Sequence, residues 1–431
     1  MSGPGLILTA GVLGVGLHPA AWRYRRDAAG AALDAAYFQR IGQLAERGGL
    51  QAVFLADTLS AEEENFERPN LGGIDPVVAL TAIAGVTSRV GLVATATTTY
   101  SDPFSMARRI ASLDLISRGR AAWNLVTTFV PGVAANFGAD PLPPANERYA
   151  RAEEFIDVVN RLWRSWQPGA LVGDKEEGVY ADRSRISPID HRGAHFTVRG
   201  PTTLPPSGQG RPVVFQSGAS DAGRQLAART ADAIFTVQNT LASAQAFRRD
   251  IRERARRFRR DPNHIKVLPG LLAIMGGTEA EAKARKARLD ELGGDAELKK
   301  LALRVGIPVE RLQLDAPLPV DEIRANTAFR GSQGFRNAAI ELGLSGKLTV
   351  REILYQNGGG HPQVVGTPEQ VADHIEHWYR EGAADGFNLM IDVLPDGLEP
   401  VLDELVPLLR QRGIFRREYR GDTLRTNLGL D

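Results

Sequence analysis

Two stretches of this chain gather small polar side chains where an apolar core would be expected. In "PVVFQSGASDAGRQLAART" an apolar run ends in Ser217, Gly218 and Ser220, and a helical pattern begins at once near Asp221. Small residues let a ligand approach the backbone closely, and the free N–H groups of a helix N-terminus suit a phosphate. Ser217 and Ser220 add hydroxyl donors, and Arg224 is placed to add charge. The same residues also make an ordinary helix cap, since Ser and Asp favour that position. In "SLDLISRGRAAWNLVTTFVPGVAANFG" a second apolar run carries Asn124 behind Trp123 and closes on Thr127 and Thr128.

Other candidates are spread along the chain. Asp57 in "FLADTLSAEEE" closes a third apolar run, where a site residue and a turn residue are equally good readings. Thr95 and Thr97 to Thr99 close a fourth. Tyr149 in "NERYARAEEF" opens a helical pattern and by itself reads as packing. His18, His191, His195 and His361 have neither HxH nor HExxH spacing, so no metal site is expected. The chain has no Cys, which removes disulfides, thiolate catalysis and Cys-based metal centres. "GVLGVG" lacks the GxGxxG spacing of a dinucleotide fingerprint. A glycosidase needs two carboxylates across its site, but Asn124 is followed by Leu125 rather than an acid. What remains is a set of neutral hydrogen-bonding groups. Such a set suits holding a large polar heterocycle better than moving protons.

The elements that must position these residues follow from periodicity. Eight β-branched runs, at 6–13, 52–57, 90–98, 121–128, 212–218, 233–238, 267–275 and 386–393, alternate with amphipathic patterns such as "LDAAYFQRIGQLAERGG". Alternation of this kind predicts parallel βαβ units, and eight of them predict a closed (β/α)8 TIM barrel of the α/β class. In such a barrel the residues at C-terminal strand ends face the site, which selects His18, Asp57, Thr97, Asn124 and Ser217 on position alone. The 431 residues read as one barrel domain with insertions at about 167–211 and 293–360, both expected to shape its mouth. With 52 Lys and Arg against 51 Asp and Glu, there is no electrostatic case for nucleic acid or an anionic membrane. The run "GLILTAGVLGVGL" is too short and Gly-rich to span a bilayer, and its basic residues follow it, the reverse of a secretory signal. It reads as a buried first strand, and the protein as cytoplasmic.

"SLDLISRGRAAWNLVTT", followed by "NFG" and "ERYARAEEF", resembles the signature of flavin-dependent monooxygenases of the bacterial luciferase-like superfamily. Within it, the nearest likeness is to the nitrilotriacetate monooxygenase component A group, with the enzymes for dibenzothiophene sulfone and pristinamycin. "HPAAWRY", "GLVATATTTYSDPFSMAR", "GTPEQVADHIEHWYREGAADGFNLM" and "VPLLRQRGIFRREYRGDTLRTNLGL" continue the resemblance almost end to end. The resemblance implies a two-component monooxygenase. Reduced FMN comes from a separate NADH- or NADPH-dependent flavin reductase, and O2 is co-substrate. Oxygen adds at the flavin C4a carbon; one atom goes to a small organic substrate and the other to water. By position, Asp57, Thr97, Asn124, Tyr149 and Ser220 match the family's FMN-contacting places, with Ser217 and Gly218 beside them on the phosphate loop. His18 and His361 are the candidates for a catalytic proton or hydrogen-bond donor. Ala145 departs from the pattern, since the family often has His four residues before the Tyr. The family's habit also implies a homodimer or homotetramer. The alternatives are a deazaflavin-dependent oxidoreductase of the same superfamily and a non-catalytic flavin-binding protein. The mostly neutral candidate set argues against a polyanionic substrate.

Overall fold

The computed structural model describes residues 5–61, 73–139, 141–329, 331–345 and 348–431. The predicted runs form the strands β1 (Ile7–Val12), β2 (Ala52–Leu55), β3 (Gly91–Thr97), β4 (Ala121–Val126), β5 (Val213–Ser217), β6 (Ala233–Thr236), β7 (Lys266–Met275) and β8 (Gly386–Ile391). They hydrogen-bond in the order β6-β5-β4-β3-β2-β1-β8-β7, and β7 pairs back to β6, so the barrel closes. All eight pairings are parallel. The principal helices are α1 (Ala35–Arg47), α2 (Pro76–Ala84), α3 (Pro103–Ile116), α4 (Ala145–Trp163), α5 (Asp221–Thr230), α6 (Leu241–Arg257), α7 (Glu279–Gly293) and α8 (Pro368–Arg380). Their starts are written locally. Asp102 caps α3 just before Pro103, and Thr367 with Gln370 forms a capping box before α8.

Strand periodicity of two decides what faces where. Ile7, Phe54, Val93, Ala122, Phe215 and Leu268 fill the barrel interior, and Leu424, Leu428 and Leu430 join them from the C-terminal segment. Trp123 points outward among Phe155 and Trp163, its indole N–H donating to the Ala96 carbonyl at 3.0 Å. Its neighbour Asn124 is thereby turned inward, two residues above Ala122.

β7 changes partner along its length. Lys266 to Pro269 pair with β6, whereas Leu272 to Met275 pair with a further parallel strand, His361–Gly366. Pro269 and Gly270 stand at the join, where a missing N–H and a missing side chain cost least. Gly270 leaves room for the imidazole of His361; a Cβ there would overlap that ring. The Gly-rich segment around His361 therefore runs into a strand.

The two insertions differ in placement. Residues 167–211 form two small antiparallel pairs, Leu171–Asp174 with Val179–Ala181 and His191–Arg192 with Thr197–Val198. They run along α4, where Glu154 accepts from His191 Nε2 at 2.9 Å and from the N–H groups of His195 and Phe196. They end at the foot of α3, where Ser207 and Gln209 donate to Asp114. That anchorage corrects the expectation for this insertion: it clothes the flank and N-terminal end of the barrel rather than the mouth. Between β7 and β8, helices Ala296–Val305, Gln333–Ser345 and Val350–Gln356 enclose their own small core, including Leu301, Val305, Ile323, Ile340 and Ile353. Among the described residues, no helix is long and apolar enough to cross a membrane.

Candidate active site

A cavity of about 870 Å³ opens at the C-terminal end of the barrel. Its wall comes from the ends of β4, β5 and β6, the first turn of α4, and residues 327, 329 and 331–335 of the second insertion. No residue of 167–211 lines it.

The polar groups at the strand ends hold one another. Asn124 is 3% exposed; its amide donates to Thr95 Oγ1 at 3.0 Å and its carbonyl accepts from Ser217 Oγ at 3.0 Å. One side chain thus joins β3, β4 and β5. Beside it, the hydroxyls of Thr97 and Thr128 meet at 2.8 Å, and the Thr128 N–H donates to Thr99 Oγ1. These residues are polar because they form the top interior layer of the barrel, where the apolar filling stops.

The second cluster caps a helix and faces the cavity. Ser220 Oγ accepts the Gly223 N–H at 3.1 Å as the N-cap of α5 and donates to Tyr149 Oη at 3.2 Å. A Cβ on Gly223 would stand 3.0 Å from that phenol oxygen and 3.1 Å from Ser220 Oγ, so a larger residue there would crowd both hydroxyls. Ser217, Gly218, Ser220 and Tyr149 all line the cavity. Arg224 is not aimed at them: it donates to the Ala219 carbonyl and pairs with Asp250 at 3.0 Å. The loop's attraction for an anion therefore rests on hydroxyls and helix N–H groups alone.

The remaining candidates stand apart from the cavity lining. Asp57 is partly buried after β2, and burial, then the neighbouring Asp75, holds its carboxyl above the usual range. His18 is committed on both nitrogens, Nδ1 accepting the Ala20 N–H at 3.1 Å and Nε2 meeting Asp290 at 3.2 Å. It ties the segment after β1 to α7. His361 lies between the rings of Phe235 and Phe335 at 5.4 and 5.5 Å. Burial, then Arg304, pushes its imidazole down to about 3, so it is uncharged at physiological pH, and it does not line the cavity. Among the described residues no group of three or more His, Asp or Glu is placed to hold a metal ion.

Most of the wall carries no signal in the sequence. Phe129, Phe235, Phe329 and Phe335 line the cavity, with Ala145 and Arg148 at the start of α4. Phe235 was legible, because Ala233 and Phe235 alternate inward on β6. Phe329 and Phe335 lie in a stretch without periodicity and carry no local signal.

The profile of the family described as luciferase-like monooxygenase matches residues 18–386. The chain is 41% identical to the N-acetyl-S-(2-succino)cysteine monooxygenase of Bacillus subtilis (strain 168), over 97% of this chain and 95% of that protein. It is 42% identical to nitrilotriacetate monooxygenase component A of Aminobacter aminovorans, over 96% and 94%. Its structure is similar to that of the EDTA monooxygenase from Chelativorans sp. BNC1, with a TM-score of 0.82, 33% identity and 99% of each chain covered. The chain belongs to the luciferase-like monooxygenase family.

Proposed function

We propose that the protein is the oxygenase of a two-component system, which uses reduced FMN and O2 to oxygenate a small organic substrate. Family membership makes it a flavin-dependent monooxygenase. The observation that supports FMN is the cradle at the cavity edge. There Ser220 and Tyr149 meet beside the N-terminus of α5, and both line the cavity. A phosphate monoester fits this donor set, because a helix N-terminus and hydroxyls supply donors, and the one acid in the first turn, Asp221, is paired with Arg254.

When bound, reduced FMN supplies the two electrons that let one atom of O2 enter the substrate while the other leaves as water. The chain's own residues do the rest. Tyr149, Ser217, Gly218 and Ser220 hold the phosphate. Asn124 and Thr97, which do not line the cavity, fix the strand ends beneath the place of the ring system, and Asp57 stands apart from it. Phe129, Phe329, Phe335 and a proline-rich edge at Pro141, Pro143 and Pro144 exclude water from the reacting centre. A reductase partner is supported by the relative named as a component A.

The test is rapid mixing of the protein and anaerobically reduced FMN with oxygenated buffer. Reoxidation through a species that outlives free-flavin oxidation supports the proposal; reoxidation indistinguishable from that of free FMN overturns it.

A further inference from the structure

We propose that Arg304 holds a carboxylate of the substrate, so that the substrate is an organic acid; this rests on the cavity being the oxygenase site. The strand-end set is neutral, and the second insertion supplies a cation which that set lacks. Arg304 stands on the helix Ala296–Val305 of this insertion. Its Nε donates to the Lys300 carbonyl at 3.2 Å and its Nη1 to Asn357 Oδ1 at 3.1 Å. Its Nη2 is buried and has no hydrogen-bond partner.

The guanidinium is fixed beside the cavity. Asn357 donates to Asn239 at 2.9 Å, and Asn239 donates to the Ala338 carbonyl at 3.0 Å. Asn239 follows closely on Val237, which lines the cavity at the end of β6. Arg304 also adjoins the wall itself. A Cβ on Gly360 would stand 2.4 Å from the Phe335 ring and 3.0 Å from Arg304 Nη1, so the two side chains are neighbours at that glycine, and Phe335 lines the cavity. Access to Nη2 from the cavity therefore needs Phe335 to turn aside, a side-chain rotation rather than a change of fold.

The charge is not neutralised from within. Burial holds the guanidinium below its usual range, and Glu297, two turns earlier on the same helix, offsets this only in part. Glu297 Oε2 is itself buried without a partner, so the two groups do not satisfy each other. His361, next to Phe335, is uncharged. A carboxylate at Nη2 supplies both the missing acceptor and the missing counter-charge in one charge-assisted bond, whereas an ester carbonyl supplies only the acceptor.

The experiment measures binding of (benzylthio)acetate and of phenylacetate, each against its methyl ester, by calorimetry on the full protein with and without FMN. Each acid is expected to bind at least about tenfold more tightly than its ester. Arg304→Gln keeps a donor for Asn357 without the charge and is expected to abolish that preference. Phe335→Ala uncovers the guanidinium and is expected to widen it. No preference in the unaltered protein, an undiminished one in Arg304→Gln, or an unchanged one in Phe335→Ala overturns the proposal. Loss of the preference in Arg148→Gln but not in Arg304→Gln also overturns it, and assigns the carboxylate to the arginine that already lines the cavity. Weakened binding of FMN but not of riboflavin by Arg304→Gln overturns it as well, since the anion would then be the flavin phosphate. Failure of the flavin reading is distinguishable: it appears as no FMN binding and unaltered flavin reoxidation, while the acid preference is still read on the FMN-free protein.

Discussion

The Tyr149–Ser220 pair separates a folding role from a binding role within one hydrogen bond. Ser220 both caps α5 through Gly223 and touches Tyr149, whereas the Tyr149 hydroxyl makes no cap. Ser220→Ala removes the cap and is expected to cost about 1 kcal/mol of stability. Tyr149→Phe leaves the cap in place, and its stability change is expected to be smaller. Both remove a donor from the phosphate cradle. A hydrogen bond to a charged group contributes about 1.5–3 kcal/mol, so each variant is expected to weaken FMN binding roughly ten- to a hundred-fold. Riboflavin, which has the same ring and no phosphate, supplies the control. Anaerobic titration of both flavins in their reduced forms, with urea denaturation alongside, gives the two quantities separately. The expected pattern for Tyr149→Phe is a large loss for FMN and little change for riboflavin. An equal loss for both flavins, or none for FMN, refutes the placement of the phosphate.

Three further outcomes follow from other contacts. Asn124→Leu strands the buried hydroxyl of Thr95 and the half-buried one of Ser217 and is expected to cost about 1–3 kcal/mol in urea denaturation and to weaken flavin binding; adding Thr95→Val should recover part of the stability but not the binding. Gly270→Ala drives a methyl into His361 and is expected to destabilise by about 1–3 kcal/mol, with relief when His361→Ala is made in the same chain. For pH dependence, burial depresses His361 to about 3 and His374 to about 4 in the folded state. The unfolded chain therefore binds their protons first, and stability is lost as pH falls below the unfolded value of 6.5, by about 1.4 kcal/mol per pH unit for each. Asp114, raised by burial to about 6, acts in the opposite sense, since the folded state holds its proton and stability falls as pH rises toward 6. Between pH 5 and 6 it offsets one histidine, so Asp114→Asn is expected to steepen the fall in stability on acidification; an unchanged slope in thermal melts across that window would refute this assignment.

The sequence by itself determined the eight barrel strands, the inward turn of Asn124 against the outward Trp123, and the joining of Ser220 to a helix start. Each is set by backbone geometry within a few residues: period two on a strand, an orphan N–H at a helix end. The likeness across the 121–155 region also named the family, because it preserves that same local order. Tertiary structure alone decided the rest. His18 reads as a strand-end residue, yet it pairs with Asp290, 272 positions away, because α7 packs over the segment after β1. His361 reads as part of a Gly-rich loop; it becomes strand only because β7 runs past the end of β6 and offers a free edge. The 167–211 insertion reads as a lid, but Glu154 and Asp114 draw it down the flank of α4. Phe329 and Phe335 reach the cavity only because the helices around them bury a separate core and carry the connecting segment across the mouth. No local period encodes these placements, since each depends on contacts between segments that meet only when the barrel closes.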